Sequence, residues 1–204
     1  MSDLQKSLDT YRRRVERFRW EIPDTFNFGR DVVDHFAQEA SRPALVWRDA
    51  AGSEQRLGFG AIRSRSNRVA HLLGGLGIQP GDPVIVMLPR VPEWQQTLVG
   101  ALKAGALVIP SSTILRPKDI AYRAQHSGAK VIVSIGDQTT AVDAVRQELS
   151  GVHHFLSLGA PGKPAPDGWT DFRAALAREP DDDGATRSTR ASDPALVYYT
   201  SGTT

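Results

Sequence analysis

The chain has 204 residues, 40% of them apolar and 24% charged, with a formal net charge of +2. This is enough apolar material for a soluble core and too little charge to argue for nucleic acid or a membrane surface as partner. With no cysteine, disulfides, thiolate nucleophiles and thiolate metal sites are excluded, and the composition fits a reducing compartment.

Leu4, Tyr11, Val15 and Phe18 recur at near-helical spacing and predict a short amphipathic leading helix. Lys6, Arg12, Arg13, Arg14, Arg17 and Arg19 make it basic, but Asp3, Asp9 and Glu16 interrupt the charge and no apolar stretch follows. That pattern excludes a secretory signal and argues against a mitochondrial one, so the expected location is cytoplasmic. No apolar run approaches the ~20 residues of a membrane span. Ile22-Pro23-Asp24 breaks the helix. A second helix is expected from about Phe28 to Ala40, with Val32, Val33 and Phe36 on its apolar face. Ala44–Trp47 and Gln55–Leu57 predict a hairpin whose tip holds Gly52.

From Gly60 the pattern becomes α/β. Ile62, Val69, Leu73 and Leu76 mark one helix face, with Gly77 placed as its stop. Val84–Leu88 is a continuous apolar run, as expected of a parallel strand covered on both faces. Pro92 and Glu93 open a helix, since proline and an acid both suit the first turn. Leu107–Ile109 predicts the next strand. A helix from Lys118 to His126, a strand at Val131–Val133, a helix from Thr140 to Leu149 and a strand at His154–Leu158 continue the alternation. The expected fold is therefore α/β, a mostly parallel sheet with flanking helices. Gly159–Gly168 and Arg178–Pro194 read as loops, with a short helix near Asp171–Ala177 between them. Asp181-Asp182-Asp183 reads as a solvated loop, and the long second loop as a mobile one. His153 and His154 are strand neighbours pointing to opposite faces, so they do not share a metal.

The last residues carry the chemistry. Ala195-Leu196-Val197 predicts a short buried strand. Tyr198-Tyr199 follow, and then hydroxyls around one glycine: Thr200, Ser201, Gly202, Thr203 and Thr204. Gly202 allows close backbone approach, and hydroxyls with successive backbone N–H groups form an anion-binding nest. The lysine-bearing pattern of the commonest phosphate loop is absent. The chain stops inside this loop, where a helix would ordinarily follow. The expectation is an N-terminal part of a longer protein.

Several motifs in order then make a resemblance visible. They are Phe26-Asn27-Phe28 through Asp31–Ala37, Gly77-Ile78-Gln79-Pro80-Gly81-Asp82-Pro83-Val84, Leu88-Pro89-Arg90-Val91-Pro92-Glu93-Trp94, Lys103-Ala104-Gly105-Ala106, and Tyr199-Thr200-Ser201-Gly202-Thr203-Thr204. Together they resemble the adenylate-forming, AMP-binding superfamily, in its medium-chain acyl-CoA synthetase branch. The resemblance implies a ligase that uses ATP, magnesium and coenzyme A. A medium-chain fatty or aromatic acid would be activated as an acyl-adenylate and passed to the coenzyme A thiol. It implies that residues 1–204 are an incomplete N-terminal AMP-binding domain, with 1–59 as leading helices and hairpin and 60–204 as the α/β portion, and with the C-terminal domain absent.

By the same resemblance, Thr200, Ser201, Gly202, Thr203 and Thr204 hold the ATP phosphates, and Arg123 touches the coenzyme A phosphates. A solvated helix-face arginine is the alternative for Arg123. Ile114 stands where some relatives carry a polar residue near coenzyme A. No catalytic acid, base or cation and no metal ligand is assigned within the chain, and the chain alone is expected to be inactive. Partners are small molecules, with no nucleic acid and no membrane span. Two alternatives stand beside this reading: part of an amino-acid-adenylating domain loading a carrier protein, against which the Leu88–Trp94 motif argues, and a non-catalytic truncated remnant.

Overall fold

The computed structural model describes residues 3–159 and 163–200. Its centre is a five-stranded parallel sheet of β3 (Pro83–Val86), β4 (Leu107–Pro110), β5 (Val131–Ile135), β6 (His154–Leu158) and β7 (Thr170–Asp171), in the spatial order β4-β3-β5-β6-β7. Successive side chains of a strand face opposite ways. Val84 and Val86 therefore join one apolar cluster, while Ile85 and Met87 join another. The first cluster is completed by α2 (Phe59–Gly75), α3 (Pro92–Lys103) and α6 (Phe172–Leu176), the second by α4 (Pro117–Ser127) and α5 (Gln138–Asp143). Covering on both faces is what an all-apolar parallel strand requires.

Outside the sheet, β1 (Pro43–Arg48) and β2 (Glu54–Gly58) form the expected antiparallel hairpin. The leading helix α1 (Asp3–Arg17) forms as the periodicity predicts, yet buries none of its residues. Leu4 and Tyr11 are 70% and 66% exposed.

Three local expectations are corrected. The helix expected over 28–40 is centred on a π-helical turn, Gly29–Asp34. Asn27 competes for its first turn: the side-chain oxygen accepts the Gly29 N–H at 3.0 Å, while the Asn27 N–H donates to Asp31 Oδ2 at 2.7 Å. The helix expected over 140–149 stops at Asp143 and resumes only as a 3₁₀ turn, Arg146–Glu148. Tertiary bonds gather at this break. The Asp143 carboxylate accepts from Arg146 at 2.6 Å and from Trp169 Nε1 at 3.0 Å, and Arg146 lies 3.8 Å from the Phe155 ring centre. The buried strand expected at Ala195–Val197 is instead a single parallel bridge on the outer edge of β4. An edge segment has one neighbour, and Leu196 remains 40% exposed.

Helices α2 and α3 cross closely, and Gly100 is the reason they can. A β-carbon at position 100 would meet the Val69 side chain and would lie 2.6 Å from the Ser66 carbonyl oxygen. Gly100→Ala is expected to cost about 1–3 kcal/mol, because the obstacle includes backbone and cannot rotate away. Urea unfolding of the variant measures this, and a stability equal to that of the parent would contradict it.

Candidate phosphate-binding site

Strands β4 and β5 flank β3 on opposite sides, so the chain reverses its direction of progress across the sheet there. Sheets of this kind offer a ligand crevice at the carboxyl ends of the strands on either side of such a reversal. A cleft of about 720 Å³ opens at this end, lined among others by Trp47, Arg48, Pro89, Arg90, Trp94 and Thr113. Trp47 closes one wall by donating from Nε1 to the Arg90 carbonyl at 2.6 Å. Ile114, just beyond, is 87% exposed.

The terminal segment runs to the same end. Val108 N–H donates to the Ala195 carbonyl at 3.0 Å, and Val197 N–H donates to the Val108 carbonyl at 2.9 Å. The bridge is parallel, so the chain leaves it heading toward the carboxyl edge. Val197 and Tyr199 pack against the cluster under α4, while Leu196, Tyr198 and Thr200 face solvent. Of the predicted phosphate-loop residues, Thr200 is exposed on this edge. Ser201, Gly202, Thr203 and Thr204 lie outside the described residues.

Arg123 is brought beside this segment. Its guanidinium lies 5.1 Å from the Tyr199 ring centre. The Tyr199 hydroxyl is hydrogen-bonded to His126 Nδ1 at 2.8 Å, and Tyr122 stacks on His126 with ring centres 5.5 Å apart. Burial pushes the Tyr199 phenol above its ordinary range and Tyr122 adds to the shift, while Ser127 and Arg123 oppose it. Sequence spacing placed Arg123 on a helix, but nothing in the spacing reveals that Tyr199 reaches it.

Behind the sheet, Lys103 forms a polar centre that residue patterning left inside a motif without a role. Its side chain is wholly buried. Nζ donates to Asp34 Oδ1 and to Asn67 Oδ1, both at 2.6 Å. Burial pushes the ammonium below the usual lysine range. Asp34 pulls it back up, Arg63 lowers it further and Asp183 raises it. Gly29 makes room for this side chain, since a β-carbon there would collide with Lys103 Cγ. The π turn, α2 and α3 thus meet at one cation.

The second long loop is tied down rather than free. Asn67 Nδ2 donates to the Asp181 carbonyl at 2.7 Å, Ser64 donates to the Asp181 carboxylate at 2.7 Å, and His71 Nε2 lies 2.9 Å from Asp182 Oδ1. The Gly184 N–H and His71 hold the Asp182 carboxyl below the usual range. Further along, Arg187 N–H donates to the Lys103 carbonyl at 2.7 Å, and Phe26 N–H donates to the Thr189 carbonyl at 2.9 Å. Asp181, Asp182 and Asp183 remain exposed, as expected of a solvated loop, and Asp181 and Asp182 also bond that loop to α2.

Among the described residues no group of three or more histidines and acids could hold a metal ion. None of their helices is long and apolar enough to cross a membrane.

Comparison with known proteins agrees with this geometry. A profile of the AMP-binding enzyme family matches residues 32–204. Human "Acyl-coenzyme A synthetase ACSM5, mitochondrial" is 36% identical over 190 residues, which is 90% of this chain and 32% of that protein. Mouse "Acyl-coenzyme A synthetase ACSM3, mitochondrial" is 32% identical over 98% of this chain and 35% of its own length. Among solved structures, a Brucella canis acyl-CoA synthetase superposes with a TM-score of 0.82 at 30% identity, covering 95% of this chain and 36% of that one. An anthranilate CoA ligase, solved with anthranoyl-AMP, shares the fold at 20% identity and a TM-score of 0.77 over 89% of this chain and 33% of that one. The chain thus spans about a third of the length of the relatives it matches. With a five-stranded parallel sheet between helices and a family profile running through its terminal loop, the chain belongs to the AMP-binding enzyme family.

Proposed function

We propose that this chain is the N-terminal part of an ATP-dependent acyl-CoA ligase. In the first step the carboxylate of a medium-chain fatty or aromatic acid attacks the α-phosphorus of ATP. A new C–O–P linkage forms, and the bond to the β-phosphate oxygen breaks as pyrophosphate leaves. In the second step the coenzyme A thiol attacks the acyl carbon and AMP departs. Thr200, Ser201, Gly202, Thr203 and Thr204 hold the β- and γ-phosphates during the first step. Hydroxyl and backbone N–H donors stabilise charge that grows on a departing anion, which is most of what protein groups do in such transfers. Arg123 is the residue assigned to the coenzyme A phosphates.

The observation that carries this reading is the parallel bridge of Leu196 to Val108 on β4, which leaves Thr200 at the carboxyl edge of the sheet, where such sheets take nucleotides. Magnesium accompanies ATP in this reading and screens its phosphate charge. Among the described residues no group of three or more histidines and acids forms a ligand set for it. The C-terminal domain and the remaining substrate-binding segments belong to sequence outside this chain, in the same proposal. Reaction in the cytoplasm is part of it too. The mammalian relatives carry "mitochondrial" in their names.

ATP–pyrophosphate exchange tests the proposal, with octanoate and benzoate as acids. The longer protein that carries this chain is expected to exchange at turnover within the ordinary enzyme range of about 1–1000 per second, and residues 1–204 alone are expected not to exchange. Acid-independent exchange, or full exchange by the 204 residues, would contradict it. Amino-acid-dependent exchange would favour the carrier-protein alternative.

A further inference from the structure

We propose that Tyr199 is a positioning residue that hooks the root of the phosphate loop onto α4 through His126 and Arg123. The inference rests on the proposed function and deepens it. It starts from how little else holds this end of the chain. Val197 N–H to the Val108 carbonyl is the last backbone hydrogen bond along the described residues. Tyr198 beyond it is 63% exposed, and Thr200 is exposed as well. Between them Tyr199 is half-buried and has partners on three side chains of one helix.

Those partners act in different directions. His126 Nδ1 bonds the hydroxyl at 2.8 Å, and its ring meets the Tyr199 ring edge-on at 77° with centres 5.7 Å apart. Arg123 lies over the ring face at 5.1 Å, and Tyr122 meets the ring edge at 6.1 Å. A ring that only filled space would need no hydroxyl partner. Here the hydroxyl bond fixes how far the side chain reaches, and the guanidinium fixes the tilt of its face. The residue after Tyr199 is Thr200, the first hydroxyl assigned to phosphate. A small displacement at 199 therefore displaces the donors that must meet the departing anion, where placement governs rate. The same Arg123 is assigned to the coenzyme A phosphates, so α4 joins the two substrate sites by one side chain.

The test uses the longer protein and separates the half-reactions. Tyr199→Phe keeps the ring and removes the hydroxyl. ATP–pyrophosphate exchange should fall about 3- to 10-fold, the range for one lost neutral hydrogen bond, with a raised KM for ATP. Thioester formation from synthetic acyl-adenylate should stay within about twofold, since no pyrophosphate is held in that step. Tyr199→Phe also removes the hydroxyl's longer bond to the Arg123 carbonyl at 3.5 Å, so His126→Phe should lower exchange by no more than Tyr199→Phe and add little to it in the double variant, because both break the bond between Tyr199 and His126. His126→Asn, which keeps a polar atom near the Nδ1 position, should recover most of the exchange. His126 is exposed, so its variants keep the test open if Tyr199→Phe folds poorly. Unchanged exchange in Tyr199→Phe and His126→Phe, or equal slowing of both half-reactions, would overturn the inference and leave the ligase reading intact. Absence of acid-dependent exchange in the unmutated protein would overturn both.

Discussion

Asp34→Asn is expected to destabilise the fold by about 3 kcal/mol at pH 7, with the loss shrinking as pH rises. The substitution keeps an acceptor near Lys103 Nζ but removes the negative charge, leaving a wholly buried ammonium without its counter-ion. Breaking a buried pair from one side costs about 3–5 kcal/mol. The lower end applies because the Asp34 side chain keeps 17% exposure and solvent screens it. A second argument sets a ceiling. The lysine can escape by releasing its proton, which at pH 7 costs about 1.36 kcal/mol for each unit below ~10.4, or about 4.6 kcal/mol. At pH 9 the same ceiling is about 1.9 kcal/mol.

The sign for the parent follows from the same group. Its folded pKa is lowered, chiefly by burial. Between the folded value and ~10.4 the unfolded chain binds more protons, so folding gains stability as pH rises through that window. Thermal melts at pH 7 and pH 9 measure both effects, and a loss of about 3 kcal/mol corresponds to roughly 6–12 °C for a domain of this size. Adding Lys103→Met should recover much of the loss, since an apolar replacement of the whole pair is often neutral. A loss that is equal at both pH values would mean that the Lys103 charge is not its source.

Thr203→Val, in the longer protein, should slow the adenylation step by roughly 10–150-fold. Valine keeps the shape of threonine and lacks the hydroxyl. A hydrogen bond to a charged group is worth about 1.5–3 kcal/mol, and each 1.36 kcal/mol on a barrier is about tenfold in rate. The size exceeds that expected for Tyr199→Phe because the hydroxyl is proposed to touch the charged phosphates directly, whereas Tyr199 acts through the chain. Thioester formation from synthetic acyl-adenylate should be nearly unchanged, and so should the preference among acids. Measuring both half-reactions on this variant decides the matter. Equal slowing of both would make the loop a structural element of the whole site, and its assignment to pyrophosphate would fail.

What the sequence determined by itself is the α/β class and the four strands β3 to β6 of the sheet. Val84–Val86, Val131–Val133 and their neighbours are apolar without alternation, and only a strand covered on both faces satisfies that. Helix boundaries at Pro92 and just before Gly77 follow from what proline and glycine do to the backbone. The hydroxyl loop and the motif order that ties the chain to its family were legible for the same reason: they are contiguous residues. Tertiary structure alone decided the rest, because it depends on partners far apart in the chain. Lys103 reads as an ordinary basic residue in the last turn of α3, until the π turn brings Asp34 and α2 brings Asn67 to its ammonium. The acidic run at 181–183 is exposed, as its residues suggest, but only the packed structure shows that Ser64, Asn67 and His71 meet it. Beside the break after Asp143 the carboxylate meets Trp169, and the Tyr199 hydroxyl meets a histidine 73 residues earlier. Local patterning records which face of an element is apolar. It does not record which distant polar group will satisfy a buried charge or anchor a terminal segment, because that is fixed only when the helices pack.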